Sequence, residues 1–582
     1  MSSKIKQLIP ILDWLPKYQK SYLKGDIVAG ITVGIMLIPQ GMAYALLAGL
    51  PPIYGLYAGI VPLFLYAFFG TSRQLSVGPT ALVSLLIISG VGAIAEPNTD
   101  LYISLVITTA FMAGVIQLVL GLIRGGFLIN FLSHPVISGF TSAAAVIIAL
   151  SQLKNITGIN IPRTNKIHEI LGYFFQNLSD INYITLALGL GGIALILLIK
   201  RFTKSIPAAL VAVIVGILLV NFFQSVFSDI KVVGTIPQNL PAFIIPDLSL
   251  ETMQKMLPVA LTICIISFIE SLAIAKTIES KHKNYRVIPN QELLALGITK
   301  VGGAFFQSYP TTGSFTRSAI NDDAGAKTGV SSIVAAVVIS LTLLFLTPLF
   351  YHLPQAILAS IIVLAVRKLI DIKEAVMLWK KDKRDFASLI VTFLATLILG
   401  IQIGVLVGVL VSIGIILYRS SIPHYAVLGR LPETNSYRNI KRYQEAIQRE
   451  DIIIFRFDAQ LYFANATTFR ETIESIVLDR EVEKINLFVL DASSIIDMDS
   501  SGIHELEDVI TLLEKNEIVL YLSGVRGPVR DIFEKFGLIE RIGQKNFFFN
   551  THDAVAYFTT DDEAAEKYWS QKVLQTNVKS KN

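Results

Sequence analysis

The sequence predicts a polytopic α-helical membrane protein with a small soluble α/β domain at its C-terminal end. Three observations lead there. Only 16% of residues are charged, 53% are hydrophobic, and the mean hydropathy is +0.60; a soluble globular chain carries about 25% charged residues. The apolar residues are concentrated between Ile27 and Tyr418. Beyond Arg419 charge returns to ordinary levels, and short strand-like runs alternate with helical ones. The expected organisation is an N-terminal segment over 1–24, a membrane domain over 25–419, a linker over 420–436, the α/β domain over 437–560 and a tail over 561–582.

Several classes are excluded or disfavoured. With one cysteine, Cys264, inside an apolar run, no intramolecular disulfide can form. The residues up to Asp26 are mixed polar and basic, unlike a cleavable signal peptide. The formal net charge is +5, but the basic residues sit mainly between apolar runs, so no nucleic-acid partner is expected. There is no glycine-rich nucleotide loop and no cluster of metal-ligand residue types, so neither a cofactor, a metal nor an enzymatic activity is expected.

A membrane helix needs about 20 apolar residues. Such runs, some too short to cross alone, fall at 25–47, 52–70, 78–96, 101–123, 131–153, 182–200, 206–224, 256–277, 290–306, 314–322, 328–350, 354–367, 385–401 and 403–418. Lys and Arg collect on the cytoplasmic side of a membrane protein. Here they gather before the first run (Lys17, Lys20, Lys24) and after even-numbered ones, as at Arg73, Arg124, Lys200, Arg201, Lys204, Lys276, Lys281, Lys283, Arg286, Lys380, Lys381 and Arg419. Lys154, Arg163, Lys166, Lys231 and Lys255 break the alternation. Both termini and the soluble domain are therefore expected in the cytoplasm, and the chain in the cell's inner or plasma membrane.

Four interruptions of the apolar pattern carry chemistry. In the first run, Pro39 removes a backbone hydrogen bond and kinks the helix; Gln40 then places an amide near mid-membrane, with Tyr44 one turn on along the same face. The bland alternative for Gln40 is interhelical glue. Second, Leu75-Ser-Val-Gly78-Pro79-Thr80 reads as a helix start with proline in its first turn. Third, Glu270 lies inside an apolar helix, where an ionisable group by default marks a functional site; apolar surroundings disfavour its charge, which suits a proton carrier. Fourth, Tyr309-Pro-Thr-Thr-Gly313-Ser314-Phe315-Thr316-Arg317 reads as an extended arm followed by a short helix. A cation in a first helical turn is unfavourable unless an anion joins it, the alternative being permanent pairing with Glu270 or a backbone carbonyl.

Gln40 precedes Pro79 by about the interval that separates Glu270 from Gly313, as expected for two copies of one unit. Seven runs per copy, an odd number, invert the second copy in the membrane. The two short helices then point their N-termini at each other near the midplane, each with partial positive charge and free amides. Arg317 adds a full charge, and Gln40, Thr80, Ser314 and Thr316 add hydrogen bonds. The pattern predicts transport of a small anion by alternating access. In the tail domain, Asp499-Ser500-Ser501-Gly502 at a helix start could cap the helix, bind an anion or accept phosphate.

These segments resemble a known family. Ile38-Pro-Gln-Gly-Met-Ala-Tyr-Ala-Leu-Leu-Ala-Gly-Leu-Pro-Pro-Ile-Tyr-Gly-Leu-Tyr57 is similar to the sulfate-transporter signature of the SulP family, which includes prestin. Ser76-Val-Gly-Pro79 and Thr312-Gly-Ser-Phe-Thr-Arg-Ser318 resemble its third and tenth helix starts, and the tail resembles its STAS domain. The resemblance implies fourteen helices in a seven-plus-seven inverted repeat, core and gate modules, and a homodimer with an intracellular STAS contact. It implies an anion site at Gln40, Tyr44, Ser314, Phe315, Thr316 and Arg317, cation coupling at Glu270, and Ser500 at the position of a phosphoacceptor.

The functional expectation is a secondary active importer that carries sulfate with a proton. Sodium is the alternative coupling ion, but Ile274, one turn beyond Glu270, cannot ligate it. Other readings are a sodium-coupled bicarbonate importer, an uncoupled chloride or bicarbonate exchanger or channel-like conductor, a nucleobase carrier, and a STAS-based anion sensor.

Overall fold

The structure is a computed structural model that describes residues 8–127, 133–161, 167–202, 207–282, 285–478 and 485–560. The tail 561–582 and the basic residues Arg163, Lys166, Lys204 and Lys283 lie outside them. The chain divides into two compact units, Met1–Ile413 and Gly414–Asn582.

The first unit is helical. In chain order it contains α1 (Lys20–Leu47), α2 (Pro52–Tyr57), α3 (Val61–Phe69), strand β1 (Val77–Gly78), α4 (Ala81–Gly90), α5 (Asp100–Leu122), α6 (His134–Ser151), α7 (Tyr183–Phe202) and α8 (Ala208–Phe222). It continues with α9 (Leu250–Lys281), α10 (Pro289–Ala304), strand β2 (Thr312–Gly313), α11 (Phe315–Asp323), α12 (Val330–Leu341), α13 (Gln355–Val366), α14 (Ile372–Lys381), α15 (Lys383–Leu399) and α16 (Ile401–Ser421), which runs on into the second unit. Among the described residues, eight helices, counting Pro52–Phe69 as one, are long and apolar enough to cross a membrane. Among the described residues, each of the fourteen apolar runs contains helix.

Some boundaries differ from the sequence expectation. The run 52–70 is two helices, because Pro62 enters the first turn of α3 without an N–H to continue the previous turn. The run 78–96 is α-helical only from Ala81 to Gly90. The segment 1–24 is not simply a lead-in: α1 begins at Lys20, and Ile11 and Trp14 of a preceding helical turn are buried. The short helix α14 was not anticipated; it is amphipathic and flanked by Lys and Asp rather than continuously apolar.

Close helix crossings shape this unit. A Cβ on Gly55 of α2 would lie 1.9 Å from the Gly41 carbonyl oxygen of α1, and one on Gly41 would lie 2.8 Å from that of Gly55. The two backbones touch directly, which folds α2 back against the Pro39–Tyr44 segment. At the other end of α1, buried Asp26 accepts hydrogen bonds from Lys327 N (2.6 Å), Thr328 N (3.0 Å) and Thr328 Oγ1 (2.7 Å), tying the start of α1 to the entry of α12.

The second unit is an α/β domain with one six-stranded sheet, in order β4-β3-β5-β6-β7-β8. The strands are β3 (Tyr425–Arg430), β4 (Tyr437–Asn439), β5 (Ile452–Phe457), β6 (Leu487–Asp491), β7 (Val519–Ser523) and β8 (Phe547–Phe548). Strands β5 to β8 are parallel, and β3 runs antiparallel to β4 and β5. Period-2 alternation sends Ile453 and Phe455 into the core with Phe469 and Leu506, and Ile452 and Ile454 into a second cluster with Tyr521 and Ala554. The stretch 420–436 is therefore not a linker: β3 lies within it and belongs to the sheet. Its apolar run, Tyr425-Ala-Val-Leu428, is only four residues long, and Ala426 and Leu428 are its deeply buried apolar positions.

The Gly41–Gly55 contact gives a direct test. Gly55→Ala is expected to destabilise the membrane unit by about 2 kcal/mol or more. Thermal unfolding of the detergent-solubilised protein, followed by tryptophan fluorescence, would show a lower midpoint than for Gly172→Ala, a position where an added Cβ meets nothing.

Candidate functional site

The extended arms before α4 and α11 meet each other inside the helical unit. Strands β1 and β2 pair antiparallel, with Val77 opposite Gly313 and Gly78 opposite Thr312. The Ser314 N–H donates to the Ser76 carbonyl (3.0 Å), and the Ser76 N–H donates to Ser318 Oγ (2.9 Å). Non-helical backbone at membrane depth needs such internal partners. Because the strands are antiparallel, the chain leaves the pair in opposite directions, and both helix starts abut it. Thr80 occupies the N-cap position of α4; Ser314 caps α11 through Arg317 N at 3.5 Å.

Helix α9 clamps this pair. Ser271 Oγ lies 2.8 Å from Thr312 Oγ1 and accepts from Gly313 N at 2.8 Å, while Thr312 Oγ1 donates to the Ser267 carbonyl at 2.8 Å. A Cβ on Gly313 would stand 2.8 Å from the Leu75 Cδ1 methyl and 3.2 Å from Ser271 Cα, so α9 packs tightly against this glycine. Ser267 and Ser271 are absent from the expected anion site; the signal available was their spacing of one helical turn from each other, which puts both hydroxyl-bearing positions on one face of α9.

Arg317 is fully buried, and its guanidinium reaches back from α11 onto the other arm. Nη1 donates to the Pro79 carbonyl at 2.8 Å, Nε to Ser76 Oγ at 3.4 Å, and Nη2 has no hydrogen-bond partner. Part of the expectation of backbone pairing is thus met, with one donor left over. Glu270 Oε2 and Thr80 Oγ1 are likewise buried without partners. Glu270, Arg317 and Tyr44 lie within electrostatic reach of one another, and among the described residues Glu270 and Arg317 form no ion pair.

Glu270, Phe315 and Thr316 line a cavity of about 340 Å³, with Leu82 and Phe140 as neighbours and His134, Lys368 and Glu374 also in its wall. Gln40 and Tyr44 are buried in α1, where Gly41 packs near Pro79. Gly78, Pro79, Thr80, Gly313, Ser314 and Arg317 form the paired arms behind that cavity rather than its wall. A second cavity of about 480 Å³ is lined by Leu46, Gly49, Leu85, Ile88, Lys154 and Glu169 among others. Sequence reasoning also passed over Lys300, which is buried at 2% exposure in α10, a helix that also buries Gln291, Glu292 and Thr299.

In the α/β unit, Asp499 caps the Ser500–Lys515 helix through Gly502 N (2.9 Å) and accepts from Phe463 N (2.9 Å), the bland reading of that motif. Ser500 is exposed at the helix start.

Residues 23–392 match the model of the sulfate permease family, and residues 443–554 match the STAS domain. The chain is 42% identical over 570 residues to sulfate transporter 4.1, chloroplastic, of Arabidopsis thaliana, covering 95% of this chain and 82% of that protein. It is 37% identical to Arabidopsis sulfate transporter 1.1, covering 96% and 89% of the two chains. The structure of the murine Solute Carrier 26 family member A9 anion transporter in the inward-facing state superposes with a TM-score of 0.88 at 28% identity, over 96% of this chain and 95% of that one.

Removing the Ser271 hydroxyl leaves the Gly313 N–H without its acceptor, a loss of about 1–3 kcal/mol. Ser271→Ala is expected to lower the thermal midpoint measurably, whereas Ser271→Thr, which keeps the hydroxyl, is expected to recover most of the loss.

Proposed function

The chain belongs to the sulfate permease family and is an integral membrane protein, and we propose that it is a secondary active importer that carries sulfate together with a proton. One observation carries the reading: Arg317 Nη2 and Glu270 Oε2 are buried without hydrogen-bond partners beside two helix starts that abut one strand pair. A free guanidinium donor and helix N-termini suit an oxyanion. A carboxyl group at the cavity wall, without a fixed cationic partner, suits reversible protonation. The sulfate transporters of Arabidopsis support the choice of substrate.

The anion binds at the mouth of the paired arms, where Phe315 and Thr316 face the cavity. Gln40 and Tyr44 contribute from α1, whose Gly41 packs near Pro79 of the arms. Glu270 takes a proton when the anion loads and releases it inside. Carrying positive charge with the anion offsets the membrane potential, which opposes anion entry by about 2.3 kcal/mol per charge per 100 mV. Alternating access is favoured by the two cavities, since α4 contributes Leu82 to one and Leu85 and Ile88 to the other. The N-terminus and STAS domain face the cytoplasm in this reading, as the loop charges suggest, and the protein works as a homodimer.

The test is uptake of labelled sulfate into proteoliposomes with and without an inward proton gradient. Wild type is expected to concentrate sulfate with the gradient, Glu270→Gln to lose the gradient dependence, and Arg317→Ala to lose uptake by at least ~100-fold, as removal of a charged hydrogen bond to the anion implies. Entry of bicarbonate or chloride in place of sulfate would sink the substrate assignment; uptake indifferent to both substitutions would sink the site.

A further inference from the structure

Helix α14 turns its apolar stripe away from the protein. Ile372, Val376 and Trp379, spaced i, i+4 and i+7 along one face, are 68%, 49% and 57% exposed. The opposite face carries Glu374 and Leu378, both buried. Glu374 meets His134 of α6 and lines the cavity that Glu270 also lines. A surface helix of a soluble domain points such a stripe at its core; here the stripe has been left outside.

The attachment of the helix says what covers the stripe. At its start, Asp371 N donates to Ser142 Oγ of α6 at 3.3 Å, and the Asp371 carboxylate accepts from Glu374 N at 3.0 Å. At its end, Asp382 N donates to the Leu378 carbonyl at 2.8 Å, and the Asp382 carboxylate caps α15 through Arg384 N (3.0 Å) and Asp385 N (3.2 Å). One residue thus joins α14 to α15, an apolar helix packed along α6. Helix α6 belongs to a segment long and apolar enough to cross the membrane. Tied at both ends to membrane helices, α14 stays at the bilayer surface. Trp379 stands edge-to-face with Phe386 of α15, ring centroids 5.0 Å apart, and tryptophan is enriched at the membrane–water boundary.

The charge beside the stripe is positive. Lys373 and Lys380, seven residues apart, flank it on one side, and Lys383 follows at the start of α15. All three are exposed, and among the described residues none of them forms an ion pair. The nearby carboxylates of Asp371 and Asp382 are engaged as helix caps.

We propose that α14 is a lipid-binding helix of the membrane interface: its stripe enters the acyl chains, and Lys373, Lys380 and Lys383 hold the headgroup of an anionic phospholipid. An apolar face with basic residues along its edge is the pattern of a helix that lies in the interface plane. A zwitterionic lipid satisfies the stripe but not the lysines, whose stems reach from apolar surface to headgroup level. In the orientation proposed above, the helix meets the cytoplasmic leaflet, the one that carries anionic lipid. The leaflet rests on that orientation; the binding does not.

The experiment is tryptophan quenching of the full-length protein in phosphatidylcholine liposomes that hold a fixed fraction of a lipid brominated on its acyl chains. That lipid is either phosphatidylcholine or phosphatidylglycerol. The chain has three tryptophans, and subtracting the signal of Trp379→Phe isolates the one in α14. Both lipids are expected to quench Trp379, phosphatidylglycerol the more strongly. Each of Lys373→Gln, Lys380→Gln and Lys383→Gln is expected to lower that preference by up to roughly five-fold, and the triple substitution to abolish it. Salt at about 1 M, where the Debye length is about 3 Å, is expected to reduce it in wild type. Equal quenching by the two lipids in wild type, or a preference that survives the triple substitution, would overturn the proposal. So would the absence of quenching by either lipid, which means that protein, such as a second copy of the chain, covers the stripe. Quenching does not depend on transport, so its outcome is separate from that of the sulfate–proton reading.

Discussion

The pairing of β1 with β2 is the constraint from which the rest of the membrane unit follows. A chain that leaves helical geometry in the depth of a bilayer has no water to satisfy its amides. Here two strands of two residues satisfy each other, with Val77 opposite Gly313. That pairing permits α4 and α11 to be short and to start inside the unit. It also dictates what surrounds them. Helix α9 presents the Ser271 hydroxyl and the Ser267 carbonyl to β2, where they accept from Gly313 N and Thr312 Oγ1. Gly313 lets α9 pack close, since an added Cβ would stand 3.2 Å from Ser271 Cα.

The treatment of charge separates structural groups from functional ones. Asp26 and Glu292 are fully buried, yet each has several hydrogen-bond donors aimed at it from neighbouring segments. They join the ends of helices and are spent on doing so. Arg317 is equally buried, but it meets only a carbonyl and a hydroxyl and keeps one donor free. Glu270 is left with an unpartnered oxygen in a cavity wall. Leaving a buried charged group partly unanswered is unfavourable by several kcal/mol. A fold that is otherwise well satisfied keeps such groups where a ligand supplies the missing contact.

The sequence made the interruptions legible and left their partners hidden. Pro39, Gly78-Pro79, Glu270 and Arg317 each break an apolar pattern, so they stand out without any knowledge of the fold. The near-equal spacing of the two interruptions was enough to expect two helix starts facing each other. Which side chains close the arrangement was not legible. Ser271 and Thr312 are ordinary small polar residues until α9 is laid against β2. Arg317 was expected to point at the anion; it first grips Pro79, because the two arms cross there. Lys300 lies in a helix with other polar residues, Glu292 and Thr299 among them, and its burial appears only once α5 and α10 are packed. In the α/β unit β5, β6 and β7 read as apolar runs, whereas β8 has two residues and β3 a short apolar run inside the expected linker.

The grip of Arg317 on Pro79 has a mechanical consequence. The guanidinium is anchored on α11 and holds the carbonyl at the entry of α4, so the two helix starts cannot separate without losing that bond. Ser76 reinforces the link from both sides, its N–H on Ser318 and its hydroxyl on Arg317 Nε. The arms and their two helices are therefore one body. Helix α4 touches both cavities, with Leu82 in one and Leu85 in the other. In the proposed cycle, the unit that moves must be this whole body against its surroundings, because a hinge within it would break the pairing that satisfies its backbone. The anion then travels with the arms, its contacts unchanged, while the cavities on either side exchange access.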